Sequence, residues 1–342
     1  MSTMRTALAL WLAAVALSAS AAAPAPMLAP SAWLASLGET VLAPRYVRLH
    51  PAAGAPAAAA DARCRGATDP ATVLAAWRDA SRALRQVSAL PFGPALSSRV
   101  LRRIDFWPTR PKLIGAGIRR FSADPSDTAR IGLPARGLPA IEALVFDAAG
   151  RPASLPRKSC DYLVWLATDV AQVLEPMPEA YRAWVAGLRA EEAPDEGALL
   201  VEALNILIGS TESFRLKYVD KPAERGLEAA DAWRSGATTA HLKAYADGLA
   251  QALLGDADHR GFYDFLRGLG HLALAGRLTA SVGAVSTALD HLPQPLSAAR
   301  VETTQARLRA LSEALLTLQR LLAEDVADAL EVAVGFGESD GD

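Results

Sequence analysis

The feature that most constrains this chain is a run of leucines toward its C-terminal end. Leu308, Leu311, Leu315, Leu318 and Leu322 step by three and four residues. An α-helix turns once every 3.6 residues, so this spacing lines the side chains along one face. Such a stripe is the seam of a helix in a bundle. The same period recurs upstream at Val73, Trp77, Leu84 and Val87, at Cys160, Leu163, Leu166, Val170 and Val173, and at Leu242, Tyr245, Leu249 and Leu253. No hairpin signal and no sustained alternation of apolar and polar residues appears. The predicted fold class is all-α, with two packed helical-bundle domains.

Helix starts and stops can be placed from capping residues. Asp69-Pro70 pairs a cap residue with a proline at the first helical position, and that helix runs to about Leu90. Arg78, Arg82 and Arg85 are read as its solvated face. Further helices are predicted over 31–42, 97–104, 112–121, 156–175, 178–188, 198–218 and 237–253. Another is predicted from Lys221 through Gly236, another over 262–289 with a break near Gly268 to Gly270, and the leucine helix is carried on to about Val334. Arg136-Gly137-Leu138-Pro139-Ala140-Ile141-Glu142 reads as a helix start, with Glu142 in the first turn facing the positive end of the helix dipole. Pro51 to Ala60 is low-complexity and is expected as a surface loop. Arg103 to Pro111, holding two aromatics and two prolines, is read either as a functional segment or as an aromatic plug on a bundle end. The acidic stretch from Ala190 to Gly197 is the expected boundary, giving bundles over 24–190 and 191–342.

The 342 residues suffice for two ordinary domains, and the 51% apolar and 21% charged content excludes a disordered chain. The formal charge is −2 with no basic block, so nucleic acid is not an expected partner. Arg5 lies ahead of an apolar run from Ala7 to Leu17 and small residues from Ser18 to Ala23. That order predicts a secretion signal over 1–23, with an uncleaved anchor as the alternative, and a periplasmic location without a lipid-anchoring cysteine. No other stretch is read as a membrane span. Cys64 and Cys160 are the sole cysteines. In an oxidising compartment they can form a disulfide; otherwise they are buried thiols or one reactive thiol.

Standard catalytic constellations are absent. There is no His-Glu-x-x-His, no phosphate loop, no Gly-x-Ser-x-Gly and no dinucleotide glycine pattern. None of the five histidines, His50, His241, His259, His271 and His291, has another three or four residues away. Each is read as a surface or core residue. His241 alone stands out, two turns after Trp233-Arg234-Ser235. Ala-Trp-Arg occurs at 76–78 and again at 232–234, three residues that do not by themselves establish a duplication.

Several stretches together resemble the imelysin family. Gly137 to Phe146 resembles its signature region. Trp77-Arg78, Phe92-Gly93-Pro94, Arg103-Ile104-Asp105-Phe106-Trp107-Pro108, Cys160 opening a helix, Trp233-Arg234-Ser235-Gly236 and the terminal Gly335 to Asp342 follow in the family's order. The resemblance implies an all-helical, two-bundle protein of the periplasm or envelope, from a family linked to bacterial iron uptake and named after an insulin-cleaving protease. It implies a ligand site between the bundles, with Glu142, Asp105, Arg103, Trp107, Arg234 and Asp340 as candidates, and Glu142 as the candidate metal ligand, for iron or another divalent ion. Other iron-uptake components of the envelope would be partners. The hallmark is Gly-x-His-x-x-Glu. Gly137 and Glu142 match it, while Pro139 stands where the His belongs, and proline has no ligand atom. The expected role is therefore non-catalytic. A metallopeptidase and an envelope scaffold are the alternatives, and the charged residues read equally as a structural arginine–carboxylate network.

Overall fold

A computed structural model describes residues 28–190 and 195–335. The expected secretion signal, the centre of the acidic boundary stretch and Asp340 lie outside the described residues. The chain begins with α1 (Pro30–Leu37), which continues through a π-helical turn (Gly38–Leu42) into α2 (Ala43–Cys64). There follow α3 (Pro70–Ser88), the short α4 (Pro94–Ser97) and α5 (Val100–Ile104), α6 (Pro111–Ala123), α7 (Gly137–Val145), α8 (Arg157–Leu174) and α9 (Met177–Leu188). The second half holds α10 (Glu196–Ser213), which passes through a π-helical stretch (Phe214–Asp220) into α11 (Lys221–Arg225). It continues with α12 (Thr238–Leu254), α13 (Phe262–Gly268), α14 (Leu272–Asp290) and α15 (Val301–Arg320), the last leading through a second π stretch (Leu321–Val326) to α16 (Ala327–Ala329). The fold is all-α, with no strand among the described residues.

In the first half, α2 packs along both α3 and α8. In the second, α10, α14 and the Phe214–Asp220 stretch pack against the leucine seam of α15. Leu308, Leu311, Leu315, Leu318 and Leu322 are all buried, each stabilising the fold by roughly 1.5–3 kcal/mol. The halves meet where α3 crosses α12 and where α1 lies against α10. At the first crossing a Cβ on Gly248 would lie 2.6 Å from the Gln86 carbonyl oxygen, so only glycine permits the approach. One continuous hydrophobic cluster runs through both halves.

Most predicted helices are present, with four corrections. Pro51 to Ala60 is not a loop; it is the middle of α2, with Pro51 and Pro56 inside the helix. An internal proline costs about 3 kcal/mol. Here Ala53, Pro56, Ala59 and Ala60 are buried, and the Gly54 position approaches Ala171 of α8. Small side chains permit close helix packing, and that packing outweighs the lost hydrogen bonds. The helix expected from Lys221 through Gly236 stops at Arg225, and residues 226–237 form a short 3₁₀ helix (Leu227–Ala229) followed by turns. Glu142 lies in the second turn of α7, because the helix already starts at Gly137. Finally, α14 has the length and a mean hydropathy of 1.4 that a membrane span would need, contrary to expectation. It nevertheless buries Leu278, Val282, Val285 and Leu289 in the bundle, and its Arg277 pairs with Asp325.

Cys64, the last residue of α2, is bonded to Cys160 in the first turn of α8, with the Cα atoms 5.8 Å apart. The bridge ties together residues 96 positions apart, a loop worth roughly 4–5 kcal/mol in the chain-entropy account.

Candidate functional site

The crossing of α3 and α12 encloses a polar centre inside an apolar core. Helix α3 presents Trp77, Ser81 and Arg85, four residues apart on its buried face. Asp105 enters from the segment after α5, Asp231 and Ser235 from the turns before α12, His241 from α12 and Glu142 from α7. Lys217 and Tyr218 approach from the π stretch after α10.

Arg85 is the hub. It is 3% exposed and belongs to no solvated face, a correction to the sequence reading. Its Nε and Nη2 donate to Asp231 at 2.8 and 3.1 Å. Its Nη2 also donates to Asp105 Oδ1 at 2.7 Å, and Nη1 donates to the other Asp105 oxygen. Its guanidinium lies 5.3 Å from the centre of the Tyr218 ring. Burial opposes every one of these charges, but the pairing outweighs it. The arginine stays protonated beyond its ordinary range because Asp105 and Asp231 face it. Burial would raise the Asp231 carboxyl, yet Arg85 and His241 hold it well below the usual carboxylate range. For Lys217, burial lowers the ammonium from its ordinary value, with Asp105 offsetting part of the effect.

A second chain of contacts leads from Asp231. Its Oδ2 lies 2.7 Å from His241 Nδ1, and His241 Nε2 lies 3.0 Å from Ser81 Oγ. An ionised carboxylate only accepts, so Nδ1 carries a proton. The connectivity is that of a Ser–His–Asp triad. Its setting is not: Ser81 and His241 are 2% exposed and Asp231 is 4% exposed. A substrate carbonyl has no path to Oγ, so the three side chains act as a satisfied buried network.

Glu142, the signature carboxylate, is 3% exposed. Its Oε1 accepts the backbone N–H of Ser235 at 2.9 Å, linking α7 to the turns of the second half. Burial pushes its pKa up to about 7; the Ser235 hydrogen bond opposes this and the Asp231 charge adds to it. The helix around it is fixed by two local features. Gly137 has a φ of 78°, and a Cβ there would lie 2.3 Å from the Ile104 carbonyl oxygen, so the signature glycine is a steric requirement. Trp77 Nε1 donates to the Leu138 carbonyl at 2.7 Å, and its ring lies against Phe146 and His241. On the outside, Arg78 donates to the Ser235 carbonyl at 3.1 Å. The neighbours of Ser235 also line a cleft of about 240 Å³ with Trp233, Gly236, Thr238, Glu228, Ala148 and Ser297 on its walls.

The sequence candidates therefore divide. Glu142, Asp105 and the backbone next to Arg234 are brought to one centre. Arg234 itself is half-buried, with its guanidinium 4.4 Å from the centre of the Trp233 ring. Trp107 is buried and stacked on Tyr218, beneath the ammonium groups of Lys217 and Lys221, which makes it a plug as well as a neighbour of the hub. Arg103 is exposed and pairs with no carboxylate among the described residues. Arg85, Asp231, Ser81 and Lys217 were not among the candidates. Arg85 had a signal: it sits eight residues after Trp77, on the apolar stripe.

A metal ion does not fit these residues. Among the described residues no three His, Cys, Asp or Glu side chains converge on one point. Asp105 and Asp231 are already held by Arg85, Pro139 offers no donor, and Glu142 is left as a single carboxylate, too few ligands for iron or zinc.

Comparison with known proteins places the chain among similar ones. The sequence profile of the Imelysin family matches residues 42–324. The structure resembles that of an imelysin-like protein from Psychrobacter arcticum, with a TM-score of 0.72 at 20% identity, over 90% of this chain and 97% of that one. It also resembles a putative iron-regulated protein A precursor from Parabacteroides distasonis, with a TM-score of 0.66 at 16% identity, over 86% of this chain and 95% of that one. No curated protein sequence matches the chain.

Proposed function

Because the chain belongs to the imelysin family, we propose that it is a non-catalytic periplasmic protein of iron acquisition, in which the Glu142 carboxylate locks the two halves together instead of binding metal. The observation that supports the reading best is the Glu142–Ser235 hydrogen bond, which spans 93 residues and occupies the carboxylate from inside the protein. The hub around Arg85 serves the same end. Contact with a ligand or partner takes place at the cleft beside Trp233, whose wall includes Gly236, the residue after Ser235. The iron connection rests on the family and on the similar protein named as iron-regulated.

Two measurements test this together. Ferrous, ferric, zinc and copper ions are titrated into the mature chain, wild type beside Glu142→Gln, with metal content assayed directly. No saturable site is expected in either. One-site binding that weakens in the variant would remove the non-metal reading. In parallel, envelope fractions of the parent strain are probed for the chain, and a strain lacking the gene is grown with and without available iron. Slower growth under iron limitation, rescued by the secreted chain, is expected; growth unaffected by iron supply would end the acquisition role.

A further inference from the structure

Lys217 is set apart from the other side chains around the Arg85 hub by the partners of its ammonium. It is half-buried, and no hydrogen bond or ion pair among the described residues involves Nζ. Its neighbours are aromatic instead. Nζ lies 5.8 Å from the centre of the Trp107 ring and 5.1 Å from that of Tyr218. Those two rings are stacked with their centres 6.2 Å apart. Lys221, four residues on, reaches the same indole at 5.5 Å. The other charges that face Lys217 are Arg85 from α3, Asp105 after α5 and Asp231 before α12. Burial weakens the ammonium most; Arg85 adds to this, while the two carboxylates, both already held by Arg85, oppose it. Elsewhere in the chain, Lys112 and Lys158 are exposed and Lys243 pairs with Asp290 at 2.8 Å.

We infer that Lys217 is a nucleophilic amine that takes up small aldehydes as a reversible imine. An amine attacks only in its unprotonated form, and a desolvated lysine beside other cations reaches that form at a lower pH than an exposed one. The free pair on Nζ attacks the carbonyl carbon, and the N–C bond forms while the carbonyl oxygen takes up a proton. The carbinolamine then loses that oxygen as water, leaving C=N. Nothing is oxidised or reduced, and hydrolysis reverses the step. The surroundings select an aldehyde over an acyl donor. An imine nitrogen can hold a proton, so the positive charge beside Asp105 and Asp231 is retained. An amide would erase that charge next to two buried carboxylates. Trp107 and Tyr218 offer the carbon chain of the adduct an apolar wall. The reading of Glu142 as a lock between the halves involves no amine, so the two stand or fall separately.

The test treats the full mature chain with propanal and cyanoborohydride, which reduces the imine to a stable propylamine. Peptide mass spectrometry then reads the rate at each lysine. Near pH 7, Lys217 is expected to be labelled at least about fivefold faster than Lys112 and Lys158. The advantage should shrink near pH 10, where exposed amines also lose their protons, and vanish in urea. Dialysis before the reductant is added should remove the label, as a reversible adduct requires. Lys217→Arg keeps the charge and is expected to lose the fast-labelled site, with a thermal melt to verify folding. In a parallel run with the N-hydroxysuccinimide ester of acetic acid, the preference for Lys217 is expected to be smaller. Wild-type Lys217 labelled no faster than Lys112 and Lys158 near pH 7 overturns the proposal, and this result needs no variant. An advantage that persists in urea overturns it too, because it would belong to the local sequence and not to the fold. A larger preference for acetylation than for the aldehyde overturns the assigned ligand class.

Discussion

The leucine seam of α15 and the polar hub beneath α3 are both fully buried, yet they hold the protein together by different means. In the seam, the leucines are held by burial that has no direction, and an apolar side chain of similar volume would serve at each. At the hub, one guanidinium satisfies two carboxylates delivered by segments 126 residues apart (231 minus 105), and no member can be changed without stranding another. The seam makes the fold stable. The hub makes it particular, because it fixes which segment ends beside which.

Removing the hub residue should show the largest effect. Arg85→Met leaves Asp105 and Asp231 buried without a counter-charge, and loss of roughly 3–5 kcal/mol is expected in urea denaturation. A loss below about 1 kcal/mol would mean that water reaches the carboxylates and that the contrast with the seam is false. In the seam, Leu315→Ala is expected to lose roughly 2–5 kcal/mol. Combined with Arg85→Met it should add with little coupling, since the two share no partner. A double-mutant cycle with a coupling near zero checks this.

The third prediction concerns pH. Glu142 titrates near 4.5 when unfolded and at about 7 when folded. The folded state therefore holds the proton more tightly. Its contribution to stability is complete below the unfolded value and is lost progressively as pH rises through about 7. Glu142→Gln keeps an acceptor for the Ser235 N–H and carries no charge. It should match wild type near pH 4 and exceed it by about 3 kcal/mol above pH 8. Denaturant midpoints measured across that range decide the matter, and parallel curves for the two proteins would show that burial does not control this carboxyl. The smallest effect belongs to the histidine chain. Ser81→Ala should cost about 1–2 kcal/mol, the price of an unpaired His241 Nε2, without changing the slope of stability against pH around Glu142. A buried serine with a catalytic role would instead be exposed by labelling with an active-site-directed phosphonate, and none is expected.

Apolar periodicity made the helices legible because it is local: each seam is readable from a window of a few turns. Val73, Trp77 and Leu84 marked the buried face of α3 in this way, and so did Cys160 to Val173 in α8. The middle of α2 was misread for a physical reason. Proline and alanine report local preference, whereas Pro51 and Pro56 are tolerated through packing against distant helices. The site was legible only in part. Glu142 and Asp105 stood out because they fall in motif-like stretches, and both lie at the centre. Asp231 carries no local mark, since its partner Arg85 is 146 residues away. Pairing at such a distance leaves no pattern in one sequence. His241 drew notice by its spacing from Trp233, but nothing local told that Ser81 would complete its contacts. The repeated Ala-Trp-Arg proved unhelpful: Trp77 sits inside a helix and Trp233 in a turn.

The π-helical stretch Phe214–Asp220 bears on how the chain can change in length. Such a stretch is a helix with a surplus residue wound into it. Deleting one residue there would restore ordinary α-helical hydrogen bonding, a locally favourable change. The wider π turn absorbs the surplus residue, so the helix after it would keep nearly the same direction and face relative to α10. The residues inside the π turn would be re-aimed: Lys217 and Tyr218 would lose their places against Trp107 and Arg85, while the turns carrying Asp231 and Ser235 would stay where they are. The surplus residue thus sets the aim of two side chains and not the course of the chain, and its removal should cost contacts at the Arg85 hub while leaving the helix path intact.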